Sequence, residues 1–125
     1  MLMTRIVGIG CDIIKVERIK KAVKSPSFLI KIFSENERLY FKSFAHPWPV
    51  IAGHFAAKEA VAKALGTGFS QGLTFQDIKI EHNSLGKPLA ILSDKSALKW
   101  PQLKLELSIS HELDYAVAYA IAFES

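Results

Sequence analysis

The chain has 125 residues, of which 50% are hydrophobic and 22% charged, and its formal net charge is +4. That length suits a single domain, 1–125, the composition excludes a disordered chain, and the basic excess favours acidic partners: nucleic acid, anionic lipid, an acidic protein or a phosphorylated small molecule. The lone Cys11 excludes an internal disulfide and a cysteine-rich zinc site; no apolar run is long enough for a membrane helix and the N-terminus lacks a secretory pattern, so a cytoplasmic protein is the simplest reading.

In chain order, "RIVGIGCDI" (5–13) reads as a strand. Strict alternation places Ile6, Gly8, Gly10 and Asp12 on one face and Val7, Ile9, Cys11 and Ile13 on the other, and glycines inside a strand signal a closely approaching backbone or ligand. The spacing then turns helical over 15–24, with Val16, Ile19 and Val23 as the buried stripe and Pro26 just beyond the end. "FLIKIF" (28–33) reads as a short helix. "SENE" has the form of a capping box, with Ser34 capping a helix that runs to about Phe44 and Glu37 reaching back to it. "HPWP" breaks the chain before a longer helix from about Val50 to Leu65.

The last third changes character. "FQDIKIEHN" and "KPLAILS" read as two strands joined around Gly86, and Ser93 is placed to cap a short helix that ends before Pro101. "LKLELSIS" alternates, with Leu103, Leu105, Leu107 and Ile109 on one face. In "YAVAYAIAFE", Tyr115, Val117, Tyr119, Ile121 and Phe123 alternate with alanines, so the two segments form a closing hairpin. The expected class is α+β, with helices packed on an antiparallel sheet.

The residues able to carry chemistry are few. Glu59 and Lys63, i and i+4 on the central helix, are either an exposed ion pair worth about 0.3–0.5 kcal/mol or a paired acid and cation facing a ligand. "GTGFSQG" after that helix is either a phosphate-cradling loop or a C-cap and turn at Gly66; it lacks the ending of a Walker A loop. Asp12, at the end of a strand, either caps the following helix or serves as a hard-cation ligand together with Glu59, since Mg²⁺ takes one or two protein carboxylates plus phosphates and water. His111, beside Ser110 at the closing hairpin, is a plain surface histidine or a phosphate contact. His46, His54 and His82 lack metal-site spacing. Lys15, Arg18 and Lys21 recur at i+3 along a basic helix, as a solvated face or as a docking stripe for an acidic partner. A small nucleic-acid-binding module is the competing class, but the aromatic-and-basic interleaving of single-strand binders is missing.

Taken together, these segments resemble a known family. "GIGCDIIKVERI", "FSENERLYF", "FAAKEAVAKALGTG", "NSLGKPLAIL" and "SISHELDYAVAYAIA" are similar, in order and over nearly the whole chain, to the signatures of the small bacterial 4'-phosphopantetheinyl transferases, the holo-acyl-carrier-protein synthases. The resemblance implies that fold and a trimer with active sites at subunit interfaces. It also implies transfer of the 4'-phosphopantetheine arm of coenzyme A to a serine of apo-acyl carrier protein, in fatty acid biosynthesis, with adenosine 3',5'-bisphosphate released. Mg²⁺ is the implied cofactor, held by Asp12 and Glu59 and bridging to the pyrophosphate. Lys63 faces the leaving phosphate, and the base is Glu59 or a metal-bound water.

Further implied contacts with coenzyme A are Gly66, Thr67, Gly68, Lys87, Pro88, Ser110 and His111. Lys15, Arg18 and Lys21 are then the docking stripe for the strongly acidic carrier protein, with neither nucleic acid nor membrane as a partner. One position departs from the pattern: many relatives have Arg before "FAAKEA", where this chain has His54. If that Arg binds a coenzyme A phosphate, His54 is a weaker and pH-sensitive replacement.

Overall fold

The computed structural model describes residues 3–125. Strand β1 (Arg5–Lys15) leads into helices α1 (Val16–Ala22), α2 (Pro26–Ile32), α3 (Glu35–Phe41) and the long α4 (Trp48–Ala64). A 3-10 turn at Phe75–Asp77 precedes β2 (Ile78–His82) and β3 (Pro88–Leu92). Short helix α5 (Asp94–Ala97), β4 (Leu103–His111) and β5 (Tyr115–Glu124) complete the chain. The strands form an antiparallel three-stranded sheet in the order β1-β5-β4 and a separate β2-β3 hairpin. The class is α+β, as expected.

The local chemistry accounts for the boundaries. At α3 the capping box is complete: Glu37 N donates to Ser34 Oγ at 3.2 Å and Ser34 N to Glu37 Oε1 at 2.7 Å. Helix α4 starts inside "HPWP", two residues before the expected Val50, because Pro49 falls in the first turn, where a missing N–H costs no helical bond. "FQD" is a 3-10 turn rather than the start of a strand. There Asp77 accepts from Thr74 N at 2.8 Å and Thr74 Oγ1 at 2.9 Å, which tightens the chain before the strand begins. Gly86 sits at φ +86°, which the β2-β3 turn requires.

Helix α4 lies across the inner face of the three-stranded sheet. It is buried on nearly every side, the pattern of a central rather than a surface helix. Its Ala60 and Ala64 meet Gly10 and Gly8 on β1, and the helix packs on β5, whose Ala116, Ala118, Ala120 and Ala122 are buried. A Cβ on Gly10 would overlap the carbonyl oxygen of Ala60, and one on Gly8 that of Ala64. The glycine face therefore meets another backbone, and no side chain fits at either position.

Two facings emerge that alternation alone leaves open or mistakes. In β5 the alanines point inward while Tyr115, Tyr119 and Ile121 stay exposed. In β1 the pairing shifts between Ile6 and Gly8, which pair with Phe123 and Ala122 in turn, so the bulge moves Ile6 off the glycine face. Ile6 is 60% exposed, and with Val7, Ile9, Ile13, Tyr119 and Ile121 it forms a bare apolar surface on the side of the sheet away from α4.

Candidate functional site

The packing of β1 on α4 brings Asp12 to Glu59 and Lys63. Asp12 pairs with Ala118 of β5, on the inward side of β1. Lys63 Nζ donates to Asp12 Oδ1 at 3.1 Å and to the Cys11 carbonyl oxygen at 2.8 Å. The ion pair of Lys63 is thus with Asp12 across the helix-sheet contact, and not with Glu59 on its own helix. Partial burial and the charge of Asp12 hold the Glu59 carboxyl above the usual range, with Lys63 partly offsetting them.

This cluster fits a hard divalent cation. Two carboxylates from separate elements repel each other, and a lysine ammonium already sits on one of them as a stand-in cation. Among the described residues no group of three or more His, Cys, Asp or Glu is placed to hold a metal. Two carboxylates with open positions for phosphate oxygens suit Mg²⁺, whereas a closed zinc site needs more protein ligands.

The other expected contacts lie in separate places. Gly66 and Thr67 line a depression of about 500 Å³ with Ser70, Gln71, Lys99 and Trp100 beyond the end of α4. Gly66 and Gly68 take positive φ there, +86° and +58°, as a helix C-terminal turn demands. Pro88 and His111 line a second depression, of about 380 Å³, near the start of α4, where His46, His54 and His82 join them. All four histidines of the chain therefore border one cavity. Lys87 instead pairs with Glu106 at 2.9 Å, and Ser110 is exposed on β4 next to His111. From His54 to Ala64 is about 15 Å along the helix axis, so the two depressions lie towards opposite ends of α4. Lys15, Arg18 and Lys21 are exposed at the end of β1 and along α1.

His54 is 4% exposed. Its Nδ1 donates to the Val50 carbonyl at 2.7 Å, which leaves Nε2 buried without a partner. Burial is the largest influence on the ring: with the nearby His82 and Lys58 it outweighs the Val50 bond and Glu37 and lowers the pKa from 6.5 to about 4. The ring is therefore neutral at physiological pH and cannot replace a permanent cation. Because the folded pKa is depressed, the unfolded chain binds the extra proton first. Stability is full above pH 6.5 and falls as pH drops toward about 4. Urea unfolding should show a loss of about 2 kcal/mol from His54 between about pH 7.5 and 5. His54→Leu should flatten that slope, and an unchanged slope in the variant would assign the loss elsewhere.

Sequence reasoning missed Lys58. It is wholly buried, and its Nζ donates to Glu37 Oε1 at 2.9 Å, to the Ile32 carbonyl at 2.9 Å and to the Phe75 carbonyl at 3.1 Å. Glu37 Oε2 in turn accepts from Ile80 N at 2.9 Å. The pair fastens α4, directly beside Glu59, to α2, α3, the 3-10 turn and β2. The available signal was a lysine that follows Ala56 and Ala57, on the alanine-rich stretch of "FAAKEA".

A sequence model described as the 4'-phosphopantetheinyl transferase superfamily matches residues 8–120. The chain belongs to that superfamily. A relative named holo-[acyl-carrier-protein] synthase, from Caldanaerobacter subterraneus, is 48% identical over 118 residues, which is 91% of this chain and 92% of that one. Among solved structures of the superfamily, the synthase from Neisseria meningitidis superposes with a TM-score of 0.86 at 36% identity, covering 94% of this chain and 98% of that one. The Bacillus anthracis synthase, described in complex with CoA (3',5'-ADP), gives 0.84 at 39% identity, covering 96% and 98%. Among the described residues no helix is long and apolar enough to cross a membrane.

Proposed function

We propose that this chain transfers the 4'-phosphopantetheine arm of coenzyme A to a serine hydroxyl of apo-acyl carrier protein and releases adenosine 3',5'-bisphosphate. The observation that carries the reading is the meeting of Asp12 with Glu59 and Lys63, across β1 and α4, in a chain of this superfamily. Asp12 and Glu59 would hold Mg²⁺, which supplies Lewis-acid neutralisation of the pyrophosphate when bound.

The rest falls to the chain's own groups. The serine oxygen forms a bond to the phosphorus that carries the pantetheine arm, and the bond from that phosphorus to the bridging oxygen breaks. Glu59, directly or through a water it orients, accepts the serine proton. Lys63 offers its ammonium to the phosphate that leaves. Lys15, Arg18 and Lys21 present positive charge to an acidic carrier protein.

The separation of His111 and Pro88 from Gly66 and Thr67 supports a coenzyme A site completed by a second copy of the chain. The bare apolar face of β1 and β5 supports a trimer built on that surface. Light scattering tests the assembly, and a monomer mass of 13.9 kDa would exclude it. The reaction itself is tested by incubating the protein with coenzyme A, Mg²⁺ and apo-acyl carrier protein. The carrier should gain about 340 Da, and chelator should prevent the gain. No gain with any bacterial carrier would refute the assignment, and a full gain in chelator would refute the metal.

A further inference from the structure

We propose that Lys63 is the resident counter-ion of Asp12, displaced when a divalent cation enters, so that one event both loads the cation and frees the ammonium for phosphate. This role presupposes that Asp12 and Glu59 are the cation's ligands. Its geometric basis is specific. Lys63 Nζ bonds two oxygens from adjacent residues of β1, Asp12 Oδ1 at 3.1 Å and the Cys11 carbonyl at 2.8 Å. An ammonium in that position takes up coordinating capacity of the carboxylate that a cation needs, and two positive charges a few ångströms apart repel strongly where water is partly excluded.

The burial asymmetry shows which partner can move. The Asp12 side chain is 20% exposed and sits on a paired strand, whereas that of Lys63 is 51% exposed. Lysine's flexible four-carbon stem lets the ammonium swing into solvent without unpacking the helix. A diphosphate arriving with the cation offers Lys63 a new anionic partner. Cation and diphosphate therefore assist each other through Lys63, in addition to any direct bond between them.

The test is Mn²⁺ binding to the coenzyme-free protein, followed by electron paramagnetic resonance. Lys63→Met should bind Mn²⁺ about fivefold more tightly than the wild type, the equivalent of a part-exposed ion pair worth ~1 kcal/mol. Lys15→Met, which removes an exposed cation from the same strand, should change the affinity by less than about 1.5-fold, because screening weakens charges that are not in contact. Adding ADP should raise Mn²⁺ affinity more in the wild type than in Lys63→Met. Equal or weaker Mn²⁺ binding by Lys63→Met would overturn the counter-ion role, and so would equal tightening by Lys15→Met. Asp12→Asn separates the two levels. It should abolish Mn²⁺ binding; if it does not, the cation site itself is wrong, whereas lost binding with an unaltered Lys63→Met affinity removes only the counter-ion.

Discussion

Glu59→Gln should lower the rate of arm transfer by roughly a thousandfold, the scale of losing a charge that stabilises the transition state. The substitution keeps the shape of the side chain but removes a proposed cation ligand and the proposed proton acceptor together. Stability should move the other way. The folded chain holds Glu59 against partial burial and the charge of Asp12, both of which disfavour its ionised form. A neutral amide relieves both, so the melting temperature should hold or rise. Turnover can be read by the mass gain of the carrier protein, and stability by thermal unfolding of the same sample. Near-normal turnover would remove Glu59 from the chemistry. Low turnover with a sharply lower melting point would mean that the variant had merely misfolded.

Lys58→Met should destabilise the fold by about 3–5 kcal/mol, the cost of stranding one member of a buried ion pair. A domain of this size has only about 5–15 kcal/mol to lose. Glu37 would keep its bonds from Ser34 N and Ile80 N but lose its cation, and the Ile32 and Phe75 carbonyls would lose a shared donor. Adding Glu37→Gln to Lys58→Met should recover part of the loss, because the stranded charge is then gone. Urea unfolding of the two single variants and the double variant measures this coupling. A loss below about 1 kcal/mol for Lys58→Met would mean that water or a neighbouring group compensates the pair.

Features with local causes could be read from the chain. The Ser34–Glu37 box depends on residues three apart, and both of its bonds form. The glycines of β1 mark a close backbone, and α4 is that backbone. Asp12, Glu59 and Lys63 were singled out by residue type and by family resemblance, and they do meet. Which of them touch depends on how β1 lies on α4, and that is set by contacts remote in sequence. Helical spacing offered Lys63 the partner Glu59, but the cross-element geometry gives it Asp12. Likewise, alternation is blind to a bulge, so Ile6 fell on the wrong face. His54 and Lys58 look like ordinary polar helix residues until the helix is surrounded on every side.

The strand order also carries a temporal consequence. β5 lies between β1 and β4, so the partner that β1 needs is translated more than ninety residues after β1 itself. While the chain is still being made, Asp12 and the lysine that binds it already exist, but the ladder that fixes β1 does not. The proposed cation site therefore reaches its final geometry only after residues 115–124 have left the ribosome and inserted at the centre of the sheet. Until then the inner glycines of β1 have no paired strand to hold them against the alanines of α4.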